Sequence, residues 1–251
     1  MVARGLVQSR SRARDAVLRG TVTINGQPAR KPSQTVLPSD DILTDDKAQR
    51  YVSRAALKLL HGLAHFSVDV KGRLALDIGA STGGFTQVLL EQGASHVIAV
   101  DVGHGQMGPM LAGDARVTLF EGLNSRALTS DEVPADVSLT VADVSFVSLR
   151  LALMPTLDLV QPGCFLITLI KPQFEVGRDF VGRGGIVTDP AQHDRVCVEV
   201  SEFLTGKGWT VMGVTPSPVE GGDGNLEFLL GAVKGPHHPF GELLQRRSDL
   251  V

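Results

Sequence analysis

Leu74-Ala75-Leu76-Asp77-Ile78-Gly79-Ala80-Ser81-Thr82-Gly83-Gly84-Phe85 is an apolar run that closes on a carboxylate and opens onto a glycine-rich turn. The amphipathic segment 85–92 follows, so strand, loop and helix come in the order that begins a nucleotide-binding α/β domain. The glycines let the backbone turn sharply and let a ligand approach it closely. About twenty residues later a second apolar run, His96-Val97-Ile98-Ala99-Val100, ends on Asp101, where an acid would grip a ribose diol. A tight glycine turn without a ligand would leave the same local pattern.

No Gly-Lys-Ser/Thr follows Gly79, which excludes the NTP-binding loop, and Ala80-Ser81-Thr82 breaks the dinucleotide fingerprint. What remains, Asp77-x-Gly79-x-x-x-Gly83-Gly84 followed by Asp101, resembles the first two motifs of S-adenosylmethionine-dependent methyltransferases. That cofactor has no phosphates to cradle.

Outward from this stretch, strands alternate with helices. Residues 117–120 read as a third strand with Gly122 and Asn124 in the turn after it, and 137–142 as a fourth that ends on Asp143. A helix is expected over 148–159. A fifth strand, 164–170, ends on Lys171, with Pro172 stopping the ladder. Helix 190–207, strand 210–215 and strand 225–230 complete the pattern, the last two close enough in sequence to pair antiparallel. Ligands of open α/β sheets sit beyond the carboxyl ends of the strands. Asp77, Asp101, Asp143 and Lys171 all fall there, and a solvated-loop explanation would have to hold for all four at once.

At 251 residues the chain can bury a sizeable core, and its net charge of -3 is unevenly spread. Residues 1–31 carry Arg4, Arg10, Arg12, Arg14, Arg19, Arg30 and Lys31 against Asp15 alone, leaving 17 basic and 26 acidic side chains elsewhere. A polyanion-binding arm or a solvated basic face would look like this. Two distant cysteines, Cys164 and Cys197, imply no disulfide framework and fit a reducing cytosol. No apolar run is long enough to span a bilayer, and no signal core opens the chain.

Ser9 or Ser11 can cap a short helix to about Arg19, with Ala13, Ala16, Val17 and Leu18 as its buried side and Gly20 ending it. Thr21-Val22-Thr23-Ile24-Asn25-Gly26 then leads into a hairpin turn, and Val36-Leu37 is expected to start another strand. This arrangement resembles the S4 RNA-binding domain. Such modules usually begin with a further helical turn, for which Met1 stands too close, so a shortened module is expected. The resemblance implies phosphate contacts by Arg4, Arg10, Arg12, Arg14, Arg19 and Lys31, which position an RNA without reading its sequence. Asp45-Asp46-Lys47-Ala48-Gln49 is polar and without period, as a linker would be. Ser53 can cap the next helix, with Leu57, Leu60, Leu63 and Ala64 as its buried stripe. Lys58 lies beside that stripe, where a surface position is the default.

Tyr51-Val52-Ser53-Arg54, Leu57-Lys58-Leu59, Asp143-Val144-Ser145-Phe146, Ile170-Lys171-Pro172-Gln173-Phe174-Glu175, Gly184-Gly185-Ile186-Val187 and Asn225-Leu226-Glu227-Phe228, with the glycine-rich stretch, are similar to the TlyA family. The likeness runs to about Val233. It implies an S4-like module (1–46), a linker (47–52), an FtsJ-like domain (53–240) with a Rossmann-like seven-stranded sheet, and a polar tail (241–251). It also implies a cytoplasmic enzyme that uses S-adenosylmethionine to methylate cytidine ribose 2′-hydroxyls in the RNA of ribosomal subunits. Its Lys-Asp-Lys-Glu tetrad falls on Lys58, Asp143, Lys171 and Glu227. Cofactor contacts fall on Asp77, Gly79, Ser81, Gly83, Gly84, Phe85 and Asp101, with lesser ones from Asn124 and Asp143. Many members carry Gly-Gly where this chain has Ala55-Ala56.

The chemistry asks for such residues. A ribose hydroxyl is weakly acidic and must lose its proton to attack the cofactor's methyl group. Lys171 is the candidate base: burial and the charge of Lys58 favour a neutral amine, while Asp143 and Glu227 oppose that shift and orient the lysines and the hydroxyl. No metal is called for, and His237-His238 reads as tail. Base-nitrogen methylation normally uses an Asp/Asn-Pro-Pro-aromatic loop, and carbon methylation uses a strand-end cysteine; neither is present. The remaining alternatives are a haemolysin-type membrane activity and a non-catalytic RNA-binding assembly factor.

Overall fold

The computed structural model describes residues 1–7, 9–221 and 224–236. The chain divides into two compact units, Met1–Val52 and Ser53–Val251. The tail 241–251 and His237-His238 lie outside the described residues.

In the first unit, Arg10–Leu18 forms α1, with the Ser9 hydroxyl accepting from Arg12 N–H. Val22–Ile24 (β1) and Gln27–Pro28 (β2) make a hairpin. Its Asn25-Gly26 turn has φ of 51° and 77°, the left-handed pair that this tight turn requires. The expected strand at Val36-Leu37 does not form, and the third strand is Ile42–Thr44 (β3), antiparallel to β1. Ile42 buries its side chain with Ala16 and Val22, whereas Leu37 is exposed and follows a stretch punctuated by prolines. Leu18, expected to face inward, is 63% exposed. Part of the expected linker is ordered, with one 3-10 turn over Lys47–Arg50 and the Gln49 amide donating to Thr44.

The second unit begins with α2 (Ala55–His65) and then alternates β4 (Leu74–Ile78), α3 (Gly84–Glu91), β5 (His96–Asp101), α4 (Pro109–Ala112), β6 (Val117–Glu121), β7 (Leu139–Ala142), α5 (Leu149–Leu159), β8 (Phe165–Ile170), α6 (Pro172–Glu175), α7 (Pro190–Gly206), β9 (Trp209–Pro216) and β10 (Phe228–Lys234). The sheet order is β6-β5-β4-β7-β8-β10-β9. Neighbours from β6 to β8 are parallel, and β10 runs antiparallel to both β8 and β9. The central runs are buried almost throughout, as expected of strands covered on both faces. Strand order reverses between β4 and β7, which opens a crevice beyond their carboxyl ends.

The inward face of α2 is rotated from the expected stripe. Ala56, Lys58, Leu59, Gly62 and Leu63 are buried, Leu57 and Leu60 only partly, and Ala64 is exposed. Gly62 sits where the helix lies tight on the sheet, since a Cβ there would come 2.9 Å from the Ile167 side chain. That tight contact turns Lys58 into the interior.

Candidate active site

The crevice beside the β4–β7 switch is a cleft of about 620 Å³. Its walls include Gly79 and Ser81 after β4, Asp101 and Val102 after β5, Asn124 and Arg126 after β6, and residues 143–147 after β7. A smaller pocket of about 160 Å³ shares Gly79, Ser81, Asp143 and Ser145 with it and reaches Phe85 and Lys171. A larger opening of about 700 Å³ between α7 and β9 contains no strand-tip charge from the parallel strands.

One lysine–acid pair stands at this rim, and a second, Lys58–Glu227, is buried and lines neither cavity. Lys171 Nζ stands 2.6 Å from Asp143 Oδ1 and donates to Ser145 Oγ at 2.8 Å. Lys58 Nζ, buried on α2, pairs with Glu227 Oε2. The register joins the pairs: Phe228 lies opposite Ile170, so one step further puts Glu227 alongside Lys171 at the same end of the sheet. Four residues separated by up to 169 positions are thus brought to one end of the fold.

The expected cofactor residues fall into three groups. Gly79, Ser81, Asp101, Asn124 and Asp143 line the cleft, and Phe85 lines the adjoining pocket. Asp101 accepts from Ser81 N–H at 2.7 Å and from Gly103 N–H at 2.7 Å, so it shapes both loops while facing the cleft. Asn124 Oδ1 accepts from Arg126 N–H, and the residue lines the cleft. Gly83 and Gly84 are packing residues. A Cβ on Gly83 would come 2.5 Å from Leu111 Cδ1, and one on Gly84 would come 2.9 Å from Ser53 Cβ. Asp77 is fully buried and lines neither cavity; its Oδ2 accepts from Thr86 Oγ1 at 2.7 Å, while Oδ1 has no hydrogen-bond partner among the described residues. Burial pushes its carboxyl up to about 7, with the Thr86 bond opposing and the charges of Asp143 and Asp101 adding to the rise.

Sequence reasoning missed Val102, Gln106, Arg126 and Phe146. Val102 and Phe146 are exposed apolar residues on the cleft wall, and Phe146, 92% exposed, has φ of 64°. Aromatic residues rarely adopt that conformation without a local reason. The Asp143-Val144-Ser145-Phe146 match could have pointed to it; nothing in the spacing identified Gln106, whose Oε1 accepts from Ser81 Oγ at 3.1 Å.

Gly79 has φ of 81°, and a Cβ there would lie 2.5 Å from the Asp143 carbonyl oxygen. Backbone cannot yield as a side chain can. Gly79→Ala is therefore expected to destabilise the fold by about 2 kcal/mol or more. It should also weaken nucleoside binding at the cleft at least tenfold. Denaturant melts and calorimetric titration with S-adenosylhomocysteine check the two effects separately.

In the first unit, the six expected RNA contacts divide by occupation. Arg4 donates to the carbonyls of Leu37, Pro38 and Asp40, Arg12 to those of Gln49, Tyr51 and Val52, and Arg19 pairs with Asp46. The side chains of Arg10, Arg14 and Lys31 hold no hydrogen bond or ion pair among the described residues, and all three line one groove of about 400 Å³ with Val17, Ile24 and Val36.

Comparison with known proteins agrees with both units. The FtsJ-like methyltransferase family matches residues 51–234, and the S4 domain matches residues 1–42. The chain is 42% identical over 231 residues to the Mycobacterium tuberculosis (strain ATCC 25618 / H37Rv) 16S/23S rRNA (cytidine-2'-O)-methyltransferase TlyA, covering 92% of this chain and 86% of that protein. A Streptococcus thermophilus structure, solved as a candidate hemolysin, superposes with a TM-score of 0.74 at 37% identity, covering 93% of this chain and 86% of that one. An S-adenosylmethionine-dependent methyltransferase from Mesorhizobium loti shares the fold alone, with a TM-score of 0.51 at 13% identity over 68% of this chain and 95% of that one. With an S4 unit ahead of a seven-stranded FtsJ-like unit, and relatives matched along nearly its whole length, the chain belongs to the TlyA family of FtsJ-like methyltransferases.

Proposed function

We propose that this protein transfers a methyl group from S-adenosylmethionine to the 2′-hydroxyl of a cytidine ribose in ribosomal RNA, in the cytosol. The observation that carries the reading is the Lys171–Asp143 pair, whose aspartate lines a nucleoside-sized cleft and whose lysine lines the adjoining pocket. The residues present suit this cofactor. Gly79 lets the loop after β4 pack against the Asp143 backbone at the cleft wall, Asp101 stands where a ribose diol would bind, and Val102 offers an apolar face to a purine.

The cofactor supplies an electrophilic methyl group with a good leaving group already attached. The protein's task is to present the hydroxyl in line and to take its proton. Lys171 lines the small pocket where the hydroxyl would enter; acting from its unprotonated form, its amine would take the hydroxyl proton as the oxygen–carbon bond forms and the methyl–sulfur bond breaks. The resulting ammonium is then paired with Asp143. Ser145 Oγ fixes the direction of the amine, and Lys58–Glu227 closes the side of the site toward β10. Phe146 offers a stacking surface for a base drawn out of the RNA. No described helix is long and apolar enough to cross a membrane.

The test is transfer of labelled methyl from S-adenosylmethionine to purified ribosomal subunits, with the product mapped as a position that resists alkaline hydrolysis. Label on a base, or none on either subunit, removes the proposal.

RNA capture by the S4 unit follows from the occupation of its arginines. Replacing Arg10, Arg14 and Lys31 together by alanine is expected to weaken rRNA binding and reduce the salt slope by about 2–3, without lowering Tm. Arg4→Ala, Arg12→Ala and Arg19→Ala should do the reverse, since each removes partners that hold the unit together. Filter binding across a salt series and thermal melts separate the two sets.

A further inference from the structure

The loop that follows β7 carries Asp143, Ser145 and Phe146 and forms one wall of the cleft. One end of it is tied to Lys171 through Asp143 and Ser145. The other end runs into α5, whose N-cap residue Ser148 makes no side-chain capping bond of its own. The first amides of a helix have no partner within it and need one from elsewhere. Here Glu175 supplies it from 26 residues away: Oε1 accepts from Leu149 N–H at 2.5 Å and Oε2 from Ser148 Oγ at 2.8 Å. Glu175 is buried, and the nearest cation, Arg150 Nε, is 3.6 Å away.

Lys171 and Glu175 are the N-cap and the last residue of the single turn α6. One turn of helix therefore grips the same loop at two points four residues apart. We propose that Glu175 is a positioning residue for methyl transfer, a remote cap on α5 that holds the 143–147 loop in register with Lys171. The inference rests on the function proposed above, because it concerns how accurately Lys171 meets Asp143 and the incoming hydroxyl. Displacement by about 1 Å in such a site costs roughly a hundredfold in rate.

The carboxylate acts through its reach and its two acceptor sites. Glu175→Gln keeps the length, lets the amide oxygen accept from Leu149 N–H and lets the amide nitrogen donate to Ser148 Oγ. Glu175→Asp keeps the charge and loses one methylene. Expected are a 10- to 100-fold fall in kcat for Glu175→Ala and for Glu175→Asp, with KM for rRNA within threefold of wild type. Glu175→Gln should retain at least a third of wild-type kcat. Hydrogen exchange at the Leu149 amide should quicken at least tenfold in the Asp and Ala variants and stay slow in Gln. The Gln and Asp variants carry the comparison even if Ala fails to fold.

Equal kcat in all variants would overturn the proposal, and so would Asp outperforming Gln, which would make charge the determinant. Wild-type protein without transferase activity would instead remove the proposed function, while the exchange pattern would still report on the cap.

Discussion

Lys171→Ala is expected to lower kcat for ribose methylation by about a hundred- to ten-thousandfold, the range of general-base assistance. Affinity for S-adenosylhomocysteine should stay within about threefold of wild type. Lys171 lines the small pocket and is not itself among the residues lining the larger cleft, which it meets only through Asp143 and Ser145, so the loss should appear in the chemical step. Alanine also leaves the largely buried Asp143 without its cation. Breaking such a pair costs about 3–5 kcal/mol, so a lowered Tm is part of the result. Lys171→Arg separates the two roles. Guanidinium keeps a positive charge beside Asp143 but does not give up its proton at any working pH. It should restore Tm more than activity. An Arg variant with near wild-type kcat would show that Lys171 supplies charge and does not act as a base.

What could be read in advance was local and periodic. Apolar runs ending on Asp101, Asp143 and Lys171 marked strand tips, and tips of parallel strands share an edge whatever the details of packing. The Asn25-Gly26 hairpin was legible for the same reason, since its two left-handed residues restrict the turn by themselves. Lys58 was not legible from helical period. Its burial depends on Gly62 bringing α2 against Ile167 and on Glu227 arriving from the far end of the chain. The strand in the first unit was misplaced because two apolar pairs, Val36-Leu37 and Ile42-Leu43, compete for one edge of β1, and only the second buries a side chain fully. Gly83 and Gly84 look like ligand-facing glycines in a motif, yet their missing side chains make room for Leu111 and Ser53. A glycine pattern alone does not tell which neighbour needs the space. The haemolysin alternative drew on names carried by relatives; the strand-tip residues bear on chemistry instead.

Asp77 shows how a motif residue can serve the site without touching it, and it gives the second large effect. Its carboxyl is held up at about 7 by burial, against the unfolded chain's 3.8, with Thr86 as its hydrogen-bond partner and Asp143 and Asp101 as unfavourable neighbours. Between pH 4 and 7 the folded protein keeps a proton that the unfolded chain has released, so stability falls as pH rises through that window. Above pH 7 both states are ionised and the penalty is complete. From pH 5 to pH 8 this one group should remove about 3 kcal/mol of folding free energy. Asp77→Asn cannot ionise and still presents an amide oxygen to the Thr86 hydroxyl. It should therefore lose about 3 kcal/mol less than wild type across the same interval, whatever its stability at a single pH. Urea melts of both proteins at several pH values measure the difference. Parallel curves would mean that Asp77 titrates like an ordinary carboxylate, and that the loop beneath Gly79 rests on a charged group rather than a protonated one.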